Sequence, residues 1–223
     1  MVKSVILIDA NNFYASCEQA IDPSLKGKPI IVLSNNDGCI IARSAEARQL
    51  GIKMGTPYFK VKKKLEYLRV NVRSPNYELY GDISKRMMMI LKNNCEELEI
   101  YSIDEAFAIL TNSNSINLHR WAQDLRALIH QNLGLTITIG IGKTKVLAKI
   151  ANHLAKKMDK NAGILDLSTN INNDDYLDEV EVKNVWGIGQ SAQRWCYLRG
   201  IKNARQLRDT PQNELRLKLG IAG

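Results

Sequence analysis

The chain has 223 residues, 45% apolar and 24% charged, with a mean hydropathy of -0.23, which excludes a disordered chain or a coiled coil and allows one large domain or a few small ones. Its 31 Lys and Arg against 23 Asp and Glu give a formal net charge of +8, the balance of a protein that meets a polyanion or an anionic surface. No apolar run approaches the roughly 18 residues of a membrane span, and the short run behind Met1 is too brief for a signal peptide, so a cytosolic or nuclear protein with no membrane partner is expected. Cys17, Cys39, Cys95 and Cys196 lack paired spacing, and His119, His130 and His153 are scattered. The thiols are therefore expected as core or surface groups rather than zinc ligands.

In chain order, residues 5–9 read as a nearly all-apolar strand ending on a carboxylate, Asp9. Asn11 and Asn12 offer side-chain acceptors to cap a helix over 13–20, which Asp22-Pro23 stops. Strands are expected over 30–33 and 39–42, joined through the turn Asn35-Asn36-Asp37-Gly38. A short helix over 44–50 ends at Gly51, and Gly55 with Pro57 marks a further break. Leu79, Ile83, Met87, Ile90 and Leu91 recur at helical spacing over 76–93, with the Met87-Met88-Met89 run read as core. Two strands follow over 98–102 and 106–110, with Ile103-Asp104-Glu105 at their junction. An amphipathic helix over 118–133, a β-branched strand over 135–141 and a helix over 143–156 come next. With 11–77 set aside as an insertion, the order is strand, helix, strand, strand, helix, strand. This is the ferredoxin-like split arrangement of an α/β (α+β) fold.

The charge is unevenly placed. Residues 11–77 carry eleven Lys and Arg against five acids, and residues 183–218 carry eight against two. Between 166 and 181 there are six acids and no base, in a stretch rich in Asn, which reads as a solvated linker or surface turn before a separate basic module. Lys62, Lys63 and Lys64 fit either a solvated helix face or phosphate contact.

Asp9 ends an apolar strand and Asp104-Glu105 interrupt an apolar strand pair, where carboxylates are costly unless paired or bound to a cation. The deduced topology makes these segments neighbours in one sheet. Oxygen donors with open positions suit Mg²⁺, and two such ions serve phosphoryl transfer. The residues alone leave a second reading open, an Asp cap plus a solvated turn. From Val182 to Ala192 the chain reads as a helix-hairpin-helix. In its Trp186-Gly187-Ile188-Gly189 turn, the glycines let backbone N–H groups approach a phosphate.

The segments from Ile8 to Glu18, Leu25 to Ile30, Ala45 to Arg48, Tyr101 to Ala106 and Gly140 to Ala151 resemble, in order, the motifs of Y-family translesion DNA polymerases. The stretch from Asn35 to Ser44 is similar to the UmuC branch, the type of the DNA polymerase V catalytic subunit. The resemblance implies a palm at 1–10 and 78–165, fingers at 11–77 and an incomplete helix-hairpin-helix thumb at 166–223, with the little finger absent. It implies Mg²⁺-dependent, template-directed nucleotidyl transfer in translesion synthesis and an SOS-type DNA damage response. Asp9, Asp104 and Glu105 match the catalytic, metal-binding carboxylates, and the carbonyl of Ala10 a further ligand of the two Mg²⁺ ions. Asn12, Phe13 and Tyr14 match the nucleotide site at a helix start, with Tyr14 as the steric gate against a 2′-hydroxyl. Arg48 and Lys156 match triphosphate contacts. Lys145, Gly187, Ile188 and Gly189 match DNA contacts. Ala42 and Ala45 depart from many DinB-type relatives, which carry a Thr and a Tyr there.

The implied partners are primer-template DNA and dNTP. In a full-length form a UmuD-type accessory protein, a sliding clamp and a RecA filament join them, in the cytoplasm and on the nucleoid. The expected shortness of the chain motivates an alternative, a DNA-binding remnant with little polymerase activity. A nucleotidyl cyclase, which shares the split topology and the metal carboxylates, is disfavoured by Tyr14 and the thumb hairpin.

Overall fold

Aliphatic residues along Lys3–Ala10 form strand β1, in which Ile6, Leu7, Ile8 and Ala10 are buried. In the computed structural model the described residues are 3–111, 117–157, 163–169 and 173–219. After β1 come helix α1 (Phe13–Ile21), strands β2 (Ile30–Leu33) and β3 (Ile40–Arg43), helices α2 (Ala45–Gln49) and α3 (Tyr58–Tyr67), strand β4 (Asn71–Arg73) and helix α4 (Tyr77–Asn94). Strands β5 (Glu97–Ile100) and β6 (Glu105–Thr111), helix α5 (Leu118–Leu133), strand β7 (Ile137–Gly142), helix α6 (Lys145–Ala155) and strand β8 (Ile164–Asp166) follow. The C-terminal segment is helical, with α7 (Asp174–Asp178), α8 (Gln190–Leu198), α9 (Ala204–Asp209) and α10 (Gln212–Leu219).

Five strands form one sheet in the order β5-β6-β1-β7-β8. Its first four strands keep the split arrangement expected from the sequence, with β1 central and β6 beside it. Strand β8 extends the sheet, parallel to β7 with Ile139 opposite Ile164. The inserted segment holds a second sheet, β3-β2-β4, in which β2 is antiparallel to β3 and parallel to β4. One face of this sheet buries Ile31, Leu33 and Ile40 with Ala47 of α2 and Leu65 of α3. Two compact units divide the chain: Met1–Ile8 with Phe107–His119 and Ile139–Gly223, and Asp9–Ala106 with Arg120–Thr138.

Several expectations are corrected. Asn12 makes no side-chain cap at α1, because it takes the left-handed conformation (φ 51°), and the Asn11 amide oxygen instead accepts the Thr138 hydroxyl at 2.8 Å. Met87 and Met88 are core, but Met89 points outward, one residue step round the helix. β5 is mostly exposed rather than apolar. The described part of the acidic stretch is not a solvated linker. It folds as β8 and α7, and its Asp174 and Asp178 pair with Arg205 and Arg208 of α9 at 2.7 to 3.2 Å. Asn170, Ile171 and Asn172 lie outside the described residues. Ahead of the glycine turn the hairpin has a single 3-10 turn, Val182–Asn184, where a short helix is expected, and α8 follows the turn.

Candidate active site

The end of β1 is fixed from both sides. The Ala10 N–H donates to the Asp104 carbonyl and the Asn11 N–H to the Thr136 carbonyl, both at 2.9 Å. The first bond sets Asp9 beside the Asp104-Glu105 corner, where β6 begins. All three acids are half-buried. The corner is a side-chain-stabilised turn. The Ser102 hydroxyl donates to Asp104 Oδ1 at 2.6 Å and accepts from the Asp104 and Glu105 N–H groups at 3.4 and 3.2 Å. Ser84, from the buried face of α4, donates to the Ile103 carbonyl at 2.6 Å.

Helix α1 starts three residues after Ala10, so its first N–H groups lie close to Asp9 in the chain. Phe13 is buried and Tyr14 half-buried. The Tyr14 ring stacks on Tyr80 with centroids 4.5 Å apart and planes 18° from parallel, and Tyr77 meets both rings edge-on at 6.1 Å. The Tyr80 hydroxyl donates to Glu18 Oε1 at 2.7 Å. Burial foremost, then Tyr77 and the negative charge of Asp104, raise the Tyr14 phenol above its usual range and keep it protonated. Cys17, next to Glu18 on α1, is pushed up to about 12, first by burial and then by Glu18 and Asp104, and stays a thiol.

Asp9, Ala10, Asn12, Phe13, Tyr14, Arg48, Asp104 and Glu105 all fall in the second unit, and Lys145, Lys156, Gly187, Ile188 and Gly189 in the first. Arg48 is exposed on α2 and Lys156 is exposed at the end of α6. Lys145 and Lys149 lie 5.1 and 5.6 Å from the Phe107 ring centroid, and the Lys149 ammonium also stands 5.3 Å from Trp186. A Cβ on Gly187 or Gly189 would meet nothing within 4 Å, so the backbone of this turn is open to a ligand. Lys62, Lys63 and Lys64 are exposed on α3.

Among the described residues no three His, Cys, Asp or Glu side chains converge as a ready metal cage. The donor set is nonetheless all oxygen, from half-buried Asp9, Asp104 and Glu105 and the carbonyl of buried Ala10, which suits a hard divalent cation. Sequence reasoning missed Ser84, Ser102, Glu18 and Tyr80. Ser102 carries the signal of a hydroxyl two residues before an acid at a turn, and Ser84 that of a polar residue within a buried helical stripe.

Residues 8–153 match the sequence profile of the IMS (impB/mucB/samB) family. The chain belongs to that family. Among its impB/mucB/samB relatives, Protein UmuC of Salmonella typhimurium is 46% identical over 203 residues, which are 90% of this chain and 48% of that protein. DNA polymerase IV of Bacillus velezensis is 35% identical over 97% of this chain and 51% of its own length. The chain thus spans about half the length of these curated relatives. Of solved structures, an insertion ternary complex of Dbh DNA polymerase matches with a TM-score of 0.82 at 28% identity, over 98% of this chain and 64% of that one. DinB from Sulfolobus solfataricus matches with a TM-score of 0.79 at 29% identity, over the same 98% and 64%. The fold of this impB/mucB/samB member is accordingly that of the matched part of these two proteins. No described helix is long and apolar enough to cross a membrane.

Proposed function

We propose that this chain is the catalytic core of a Y-family DNA polymerase of the UmuC type, which adds deoxynucleotides to a primer end opposite damaged template. The observation that carries the reading is the 2.9 Å bond from the Ala10 N–H to the Asp104 carbonyl. It brings Asp9 to the Asp104-Glu105 corner, immediately before the start of α1. Asp9, Asp104, Glu105 and the Ala10 carbonyl would hold two Mg²⁺ ions, which when bound activate the primer 3′-hydroxyl and neutralise charge on the leaving pyrophosphate. The backbone N–H groups of Phe13 and Tyr14 receive triphosphate oxygens, with Asn12 turning the chain into the helix. The Tyr14 ring excludes a ribose 2′-hydroxyl. Arg48 and Lys156 supply cations to the triphosphate, and Lys145 with the Gly187-Ile188-Gly189 turn contacts the DNA backbone.

In domain terms, 1–10 and 78–165 serve as palm, 11–77 as fingers and 166–223 as thumb. The substrates are primer-template DNA and dNTP. A UmuD-type accessory protein, a sliding clamp and a RecA filament are the partners proposed for a longer form, in the cytoplasm and on the nucleoid. Primer extension with Mg²⁺ on undamaged and lesion-bearing templates tests the reading. The chain is expected to insert nucleotides on both templates, and Glu105→Gln to lower insertion on the order of 100-fold. Absence of incorporation at high enzyme excess, with DNA still bound, would favour a DNA-binding remnant instead.

A further inference from the structure

A ring that excludes a 2′-hydroxyl discriminates only as far as it cannot retreat, so what stands behind Tyr14 matters as much as Tyr14 itself. Two one-turn pairs meet there. Helix α1 supplies Tyr14 and Glu18 at i and i+4, and α4 supplies Tyr77 and Tyr80 at i and i+3. Tyr80 is fully buried, with its ring face under Tyr14 and its hydroxyl donated to Glu18 at 2.7 Å. Glu18 in turn faces Arg73 Nε at 3.9 Å, and Arg73 reaches Asp22 at 3.4 Å. A phenylalanine would fill the same core volume. The buried hydroxyl on a carboxylate fixes the ring at its far end as well as along its face.

The geometry points to Tyr80 and Glu18 as positioning residues that hold the Tyr14 ring in place and so set the preference for deoxynucleotides over ribonucleotides. This rests on the polymerase reading above. Tyr80 braces the ring, Glu18 anchors the brace, and Arg73 balances the carboxylate. Tyr77, edge-on to both rings, limits sideways movement.

The test compares kcat/KM for insertion of dATP and ATP opposite template T. Tyr80→Leu, which removes the stack, is expected to lower the deoxy-to-ribo ratio about tenfold, with ribonucleotide insertion rising in absolute terms. Tyr80→Phe, which keeps the ring and removes the anchor, lowers it about threefold. Glu18→Ala matches Tyr80→Phe, Glu18→Gln restores the ratio because its amide oxygen still accepts, and the double variant Y80F/E18A adds no further loss. Equal loss of dATP and ATP insertion with an unchanged ratio, in variants that melt at the wild-type temperature, would overturn the proposal. If the wild-type chain inserts neither nucleotide, the polymerase reading fails, and equilibrium binding of dATP and ATP decides the positioning role separately. A deoxy preference lost in Y80F supports it; a preference that Y80F keeps, or none in the wild type, overturns it.

Discussion

The Ser102 hydroxyl serves three groups of the acidic corner at once, one carboxylate oxygen and two backbone N–H groups. Ser102→Ala leaves those N–H groups without this acceptor and lets the Asp104 side chain turn. We expect a loss of about 1–2 kcal/mol in stability, read from the urea midpoint, with Ser102→Thr recovering most of it. His153 presents a different balance. In the last turn of α6 a positive charge would meet the favourable end of the helix dipole, yet burial, then Lys157 and Lys156, holds its pKa below the usual value. Its Nε2 is among the buried described atoms with no hydrogen-bond partner. A base whose folded pKa is depressed takes up a proton on unfolding. Its contribution is therefore complete above about pH 6.5 and declines as pH falls below that value. Urea midpoints are expected to drop between pH 7.5 and 5.5 in the wild type and to drop less in His153→Gln; equal drops would contradict this. Asp9, Asp104 and Glu105 were legible in the sequence as acids in apolar surroundings. Ser102 carried only the weak local signal of a hydroxyl two residues before an acid, and Tyr80 carried none, because its hydroxyl reaches Glu18 62 residues away.

At the scale of elements, β7 and α6 pack backbone to backbone. A Cβ on Gly140 would lie 2.2 Å from the Asn152 nitrogen and 2.3 Å from the Ala148 carbonyl oxygen, and neither backbone atom can yield without moving the helix. Gly140→Ala is expected to destabilise the protein by roughly 3 kcal/mol, seen as a lower Tm, and an unchanged Tm would show that α6 is free to shift. The long periodic elements were readable from the sequence: the helix expected over 118–133 is α5 (Leu118–Leu133), and that over 76–93 is α4 within a residue at each end. Strands β4 and β8 have three residues each, too few for a period to register, and pair with β2 and β7 through contacts distant in sequence. Helix α3 was legible only as a possible solvated face at Lys62-Lys63-Lys64, because with Leu65 as its single buried residue it shows no apolar stripe. The capping of α1 was misread for a related reason: the partner of Asn11, Thr138, lies 127 residues away.

Across the whole molecule the net charge of +8 stands, but the local surplus of residues 183–218 is partly offset by acids outside that segment. Asp174 and Asp178 take up Arg205 and Arg208, Glu181 holds Lys183 at 2.6 Å, and Glu214 faces Arg199 at 3.8 Å. The acids that composition set apart from the C-terminal module thus neutralise part of it, so its surplus overstates the field it offers to phosphates. The exposed Lys62, Lys63 and Lys64 of the inserted segment stay at the surface. The central claim, that Asp9, Asp104 and Glu105 are arranged for nucleotidyl transfer, is tested most directly by single-turnover insertion of one dNTP on saturating primer-template with Mg²⁺. The assay compares the wild-type chain with Asp104→Asn, with DNA affinity measured in parallel by filter binding. The account predicts that both bind DNA alike while only the wild type extends the primer. A wild type that binds and adds nothing, or an Asp104→Asn chain that extends as fast, would contradict it.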